Sequence, residues 1–167
     1  MKWCLSRIVP LILMAAGTVR GVEKILYHET ANAAVSPGTA GLSCQFDGYR
    51  TNLRKSGTES PVTFWYLISF GCAQGAHRIE FSVESNRDLC TDFQIRVHNS
   101  PQNCLATRKI RLRKGVEQHV GIDFSVPPEF VGKPLQVPCF TWDKMADKDI
   151  LKISKVKIYQ ICNTKGN

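Results

Sequence analysis

Apolar and polar residues alternate with period two along most of this chain, the pattern of strands that bury one face of a sheet. His77, Ile79, Phe81 and Val83 share one parity, and Phe93, Ile95 and Val97 form a second such run. Ile110 and Leu112 alternate with Lys109, Arg111 and Arg113, and Val120, Ile122 and Phe124 repeat the pattern. Val156 and Ile158 close it near the C-terminus. The run 62–70 is continuously apolar and aromatic, which predicts a central strand covered on both faces, with Trp65 in the core. Turn-forming clusters at 54–61, 71–76, 85–88, 99–103, 114–115 and 126–134 separate these runs. Seven or eight short strands at this spacing predict an all-β protein, an antiparallel β-sandwich or jelly roll. Only 141–153 has the spacing of a short helix, with Thr141 as N-cap and Trp142, Met145 and Ile150 on one side.

The alternation is absent from the first 41 residues. Lys2 and Arg7 precede an apolar run from Ile8 to Val19 that ends near Ala15, Ala16 and Gly17, so 1–21 reads as a signal peptide. The run is shorter than the roughly 20 residues a membrane-crossing helix needs, so the chain is not expected to span a membrane. Residues 22–41 are rich in Ala, Thr, Ser, Asn and Gly and read as a flexible N-terminal arm or an edge segment. That leaves 42–167 as a single β-sandwich domain. The expected location is extracellular or periplasmic.

Export changes how the cysteines are read. Without Cys4 the chain keeps Cys44, Cys72, Cys90, Cys104, Cys139 and Cys162, an even set that predicts three disulfides in an oxidising compartment. There is no C-x-x-C pair and no Cys/His cluster, so no metal site or cofactor is expected. The formal charge of +8 falls by the leader cations Lys2, Arg7 and Arg20 to about +5, a moderately basic domain suited to anionic surfaces. No Asn stands in an N-x-Ser/Thr sequon.

The densest charge is the row Lys109, Arg111 and Arg113, which a strand would line up on one face about 7 Å apart. Such a row fits a polyanion, and it also keeps an edge strand from pairing with another molecule. Lys152, Lys155 and Lys157 form a second row that would reinforce the first only from an adjacent strand. An exposed flat ring stacks on a sugar face, and the aromatic candidates are Tyr49, Trp65, Tyr66, Trp142 and Tyr159; Trp142, between Pro138-Cys139-Phe140 and Asp143-Lys144, is also readable as a loop residue. The parity of His77 predicts burial, while His98 and His119 fall on the opposite parity from their apolar neighbours. No G-x-S-x-G, H-E-x-x-H or G-x-x-x-x-G-K motif is present.

The segment Gly132-Lys133-Pro134-Leu135-Gln136-Val137-Pro138-Cys139-Phe140, followed by Asp149-Ile150-Leu151-Lys152-Ile153-Ser154-Lys155-Val156-Lys157-Ile158, resembles the closing strands of galactose-binding-like jelly-roll modules. The resemblance implies carbohydrate binding on loops or a concave sheet face, and in many members a structural calcium; it maps neither site onto particular residues. Together these readings predict a secreted, non-catalytic protein that recognises a glycan or cell-surface component through Trp142, Tyr49, Lys109, Arg111 and Arg113. A polyanion is a possible ligand, and no specific nucleic acid is expected. Two alternatives stay open: an effector, inhibitor or toxin-delivery subunit that grips a protein, and a small basic hydrolase or nuclease. The hydrolase requires His77, His98 or His119 to meet another titratable group in a cleft.

Overall fold

The computed structural model describes residues 23–28, 33–35, 40–68 and 72–161; the expected leader at 1–21 and Cys162 lie outside them. The described strands are β1 (Glu23–His28), β2 (Ala33–Val35), β3 (Leu42–Phe46), β4 (Arg50–Lys55), β5 (Ser60–Ile68) and β6 (Gly75–Ser85). They continue with β7 (Leu89–Val97), β8 (Ser100–Leu112), β9 (Gln118–Val126), β10 (Leu135–Met145) and β11 (Ile150–Ile161), with one 3-10 turn at Pro128–Phe130. Every pairing between them is antiparallel, and they form two sheets. Sheet A has the order β3-β4-β11-β6-β9, and β1 pairs with the end of β11 that β4 does not reach. Sheet B has the order β2-β5-β10-β7-β8. Thus β1 and β2, both within 22–41, join different sheets.

The expected all-β antiparallel class holds, with more strands than the seven or eight predicted. No helix forms at 141–153. β10 runs through to Met145, and a register shift between Trp142 and Met145 turns both side chains inward, producing the apparent helical spacing. The run 62–70 also differs from expectation. In β5, Val62, Phe64 and Tyr66 are buried, whereas Thr63, Trp65 and Leu67 face outward and are only half-buried.

The two sheets meet through a connected run of rings. Phe81 of sheet A lies 5.2 Å from Phe93 of sheet B, Phe93 5.0 Å from Phe140, Phe140 5.4 Å from Phe64, and Phe64 5.3 Å from Tyr66. The Tyr66 hydroxyl then returns to sheet A, donating to Thr51 Oγ1 at 2.6 Å. Such tilted and edge-on contacts add to the area the rings remove from water.

Five described cysteines, Cys44, Cys72, Cys90, Cys104 and Cys139, are free thiols, so the predicted disulfide framework is not formed among the described residues. The register explains why. Cys90 pairs opposite Arg111 and Cys104 opposite Arg96, which separates them along the same strand pair by about 20 Å. Cys139 lies on β10, two strands from Cys104, and Cys44 lies in the other sheet. Bridged Cα atoms must come within about 7 Å.

One lysine behaves as part of the core. Lys55 is 1% exposed, and its ammonium donates to the carbonyls of Ala40 and, at 3.2 Å, Ser56. Gly41 makes room for this turn, since with φ of 69° a Cβ there would run into the Ser56 carbonyl. Lys55→Met keeps the stem and removes the donor, leaving both carbonyls without it. We expect a loss of about 1–3 kcal/mol in urea unfolding, and no change would show that the ammonium is dispensable.

Candidate functional site

The alternation that sends Val62, Phe64, Phe93, Ile95, Phe140 and Leu112 into the core sends their neighbours onto the outer face of sheet B. The register sets these out in rows across four strands. Leu67, Gln136, Arg96 and Cys104 form one row, and Trp65, Cys139, Gln94 and Thr107 the next. Thr63 then pairs with Thr141, Asp92 with Lys109, and Cys90 with Arg111. A groove of about 480 Å³ follows this face, lined by Asp92, Gln94, Arg96, Lys109, Thr141 and Asp143 among others.

Several of these groups are held in place. Thr63 Oγ1 and Thr141 Oγ1 are 3.0 Å apart, and Arg96 Nε donates to Gln94 Oε1. Cys139 points to this outer face yet is fully buried, so its neighbours close over it. Burial pushes the Cys139 thiol up, against the opposing pull of the Arg96 guanidinium. The half-buried Trp65 indole thus shares this face with an oriented amide, hydroxyls and a guanidinium, and with the Asp92 and Asp143 carboxylates of the groove: a flat apolar platform and a few polar groups on one rigid sheet.

The outer face of sheet A is chemically different. Arg78 bonds Glu80 at 3.0 Å and Asp123 at 2.8 Å, Lys152 bonds Glu84 at 2.9 Å, and Lys155 bonds Glu117 at 2.8 Å. Lys155 holds the Glu117 carboxyl below its usual range, and Glu117 raises Lys155 in return. Burial opposes ionisation of Glu80, but hydrogen bonds from Tyr159 and Arg78 outweigh it and lower its pKa. Charges paired in this way have little left for a ligand.

Of the residues singled out by sequence, Lys109 and Arg111 stand on the outer face of sheet B, and Arg113 follows at the end of β8. The lysines 152, 155 and 157 belong to β11 in the other sheet and do not extend the row. Trp142 is not on a loop. It lies within β10, 2% exposed, with the Arg87 guanidinium 4.9 Å above its ring, so its face is closed to a ligand. Tyr49 is exposed, at 51%, but it sits in the β3–β4 turn of sheet A. Asp47 Oδ1 fixes that turn by accepting from the N–H groups of Arg50 and Tyr49, which holds the Asp47 carboxyl low. The structure therefore does not bring Tyr49 and Trp142 together with the cationic row. Trp65, expected in the core, is the aromatic that accompanies it on sheet B.

The histidines are separated. His77 is buried between the sheets, His119 is on the outer face of sheet A near Glu80, and His98 is in the β7–β8 turn beside Gln136. They are scattered over separate places, and the one that meets a described titratable group, His119 at 3.8 Å from Glu80, does so with its imidazole 63% exposed rather than in a cleft. Among the described residues no three His, Cys, Asp or Glu side chains converge on a metal position.

His77 still has a consequence for stability. Burial against Phe124, 5.3 Å away between ring centroids, lowers its pKa despite the hydrogen bond from Nδ1 to the Gly75 carbonyl. The unfolded chain therefore binds this proton before the folded one does. Its stabilising contribution is complete above about pH 6.5 and is lost as pH falls from there through the lowered folded value. Urea midpoints should drop between pH 7.5 and pH 5, and His77→Phe should flatten that slope. An unchanged slope would show that His77 does not carry it.

This two-sheet arrangement is the fold of carbohydrate-binding-module β-sandwiches. Similar structures include a CBM4 module (14% identity, TM-score 0.55, covering 82% of this chain and 95% of that one). The CBM22-1 xylan-binding domain from Paenibacillus barcinonensis Xyn10C is similar at 10% identity and TM-score 0.55, over 84% of this chain and 97% of that one. TmCBM61, solved with beta-1,4-galactotriose, is similar at 10% identity and TM-score 0.54, over 79% of this chain and 90% of that one. Neither the family models nor the curated proteins compared with the chain give a match.

Proposed function

We propose that this chain is a secreted, non-catalytic glycan-binding protein whose binding surface is the outer face of sheet B. The observation that carries the reading is Trp65, turned outward on the same sheet face as the 480 Å³ groove, with β10 between it and the Gln94 and Arg96 that line that groove. The indole stacks on a sugar ring, the Asp92 and Asp143 carboxylates accept from sugar hydroxyls, and the Gln94 amide donates to them. The similarity in fold to carbohydrate-binding modules supports this reading. Secretion rests on the leader-like 1–21 alone, because the cysteines do not add the expected bridges.

The test is titration of the purified protein against a panel of soluble polysaccharides, neutral and acidic, by calorimetry and affinity electrophoresis. Saturable binding to at least one polymer, with quenching of tryptophan fluorescence, is the expected outcome. Absence of binding across the panel, with capture of a protein that survives glycosidase treatment, would replace this reading with the protein-directed alternative.

A further inference from the structure

A second concavity adjoins the sheet B groove, and its chemistry narrows the class of glycan. It has a volume of about 740 Å³ and is lined by Leu89, Arg111, Leu112, Arg113, Lys114 and Val116, together with Asp88 and Cys90. Cys90 also borders the first groove, so the two share that residue in their linings. From the Trp65–Gln94 row to the Cys90–Arg111 row is about 14 Å along the strands.

Lys109, Arg111, Arg113 and Lys114 cluster along this path, and among the described residues none of their side chains is in an ion pair. On sheet A, Arg78, Lys152 and Lys155 meet carboxylates, and the exposed cations Arg54 and Lys157, in no ion pair among the described residues, stand more than about 20 Å apart along β4 and β11 rather than in a cluster. Asp88, the acidic residue of this concavity, is engaged by the backbone N–H of Lys114 at 2.8 Å. The loop that carries Arg113 and Lys114 is itself fixed. Gly115 N–H donates to the Ser85 carbonyl at 2.8 Å and Val116 N–H to the Arg113 carbonyl at 3.1 Å. Unpaired cations on a pinned loop beside the apolar surface of half-buried Leu89 and 46%-exposed Val116 are arranged to meet an anion attached to an apolar ring.

We propose that this concavity is an anion subsite and that the ligand is an acidic polysaccharide, its carboxylate or sulfate groups held by Arg111 and Arg113 while another sugar stacks on Trp65. This rests on the glycan-binding reading and specifies its ligand class. Arginine suits both anions, since its planar fork donates two parallel hydrogen bonds.

The test compares full-length protein with Arg111→Gln/Arg113→Gln against four probes: polygalacturonate, its carboxyl-reduced neutral counterpart, heparin, and N- and O-desulfated heparin. One acidic polymer should bind at least about tenfold more tightly than its neutralised partner, with affinity falling as salt rises; which pair shows this separates carboxylate from sulfate. The double variant should lose that preference while keeping its urea midpoint and its residual binding of neutral polymer. Equal affinity for charged and neutral partners, or a preference that survives in the variant, overturns the subsite and leaves the glycan reading intact. If no polysaccharide binds, both readings fall. Single-stranded DNA that competes as well as the preferred acidic polymer also overturns the proposal, because it reveals a charge effect without sugar recognition.

Discussion

Replacing Trp65 by alanine is expected to weaken glycan binding at least about 30-fold, the loss typical of truncating a central aromatic anchor. Trp65 is an indole on the outer face of sheet B, in register with Cys139 on the neighbouring strand and two strands from Gln94. Removing it deletes the stacking platform and leaves the fixed polar groups with no ring above which to orient a sugar. It does not belong to the cluster of buried residues that joins the sheets, so unfolding free energy should change by no more than about 1 kcal/mol. Trp65→Phe retains a flat ring and should recover most of the affinity. Calorimetry on the three proteins with the tightest polymer of the panel decides the matter. Wild-type affinity in Trp65→Ala would remove the binding surface from this face.

The largest effect on stability is expected from Phe140→Ala, at about 3–5 kcal/mol. Phe140 is buried within β10 and contacts Phe93 and Phe64 at 5.0 and 5.4 Å, so it links two neighbouring strands of sheet B at the middle of the aromatic run. Its loss opens a cavity that its neighbours, themselves held by Phe81 and Tyr66, cannot close without leaving their own contacts. Against a typical domain stability of about 5–15 kcal/mol, this is a substantial fraction. Val116→Ala, at an exposed position, provides the control and should stay within about 0.5 kcal/mol. Urea unfolding measures both. A Phe140→Ala cost below about 1.5 kcal/mol would show that the rings are not packed as described.

Much of the fold was legible because a strand's side chains alternate with a period of two, and this needs no knowledge of the partner strand. Ile79, Phe81 and Val83, or Ile110 and Leu112 against Lys109 and Arg111, point where their parity predicts. The burial of His77 follows from the same rule. Parity fails where the register shifts. In β10 the buried positions change from Leu135 and Val137 to Phe140 and Trp142, across a shift between Gln136 and Cys139. In β11 they change from Leu151 and Ile153 to Val156 and Ile158, across a shift between Ser154 and Lys157. An inserted residue turns every later side chain to the other face, and its position depends on the neighbouring strand. The further shift between Trp142 and Met145 gives those two buried residues the three-residue spacing of a helix.

Trp65 was hidden by a different effect. Both faces of its strand are apolar or aromatic through most of 62–68, so alternation carries no contrast there. The threonine, glutamine and arginine that share its sheet face come from β10 and β7, distant in sequence.

The sequence by itself determined the strand-rich, two-layer class and the outward direction of the Lys109–Arg111 row, because both depend on local alternation. Only the tertiary structure decided which tryptophan faces solvent, which cations stay unpaired, and that the described cysteines remain free thiols. Those outcomes depend on which strands become neighbours and in what register, and contacts between distant segments set both.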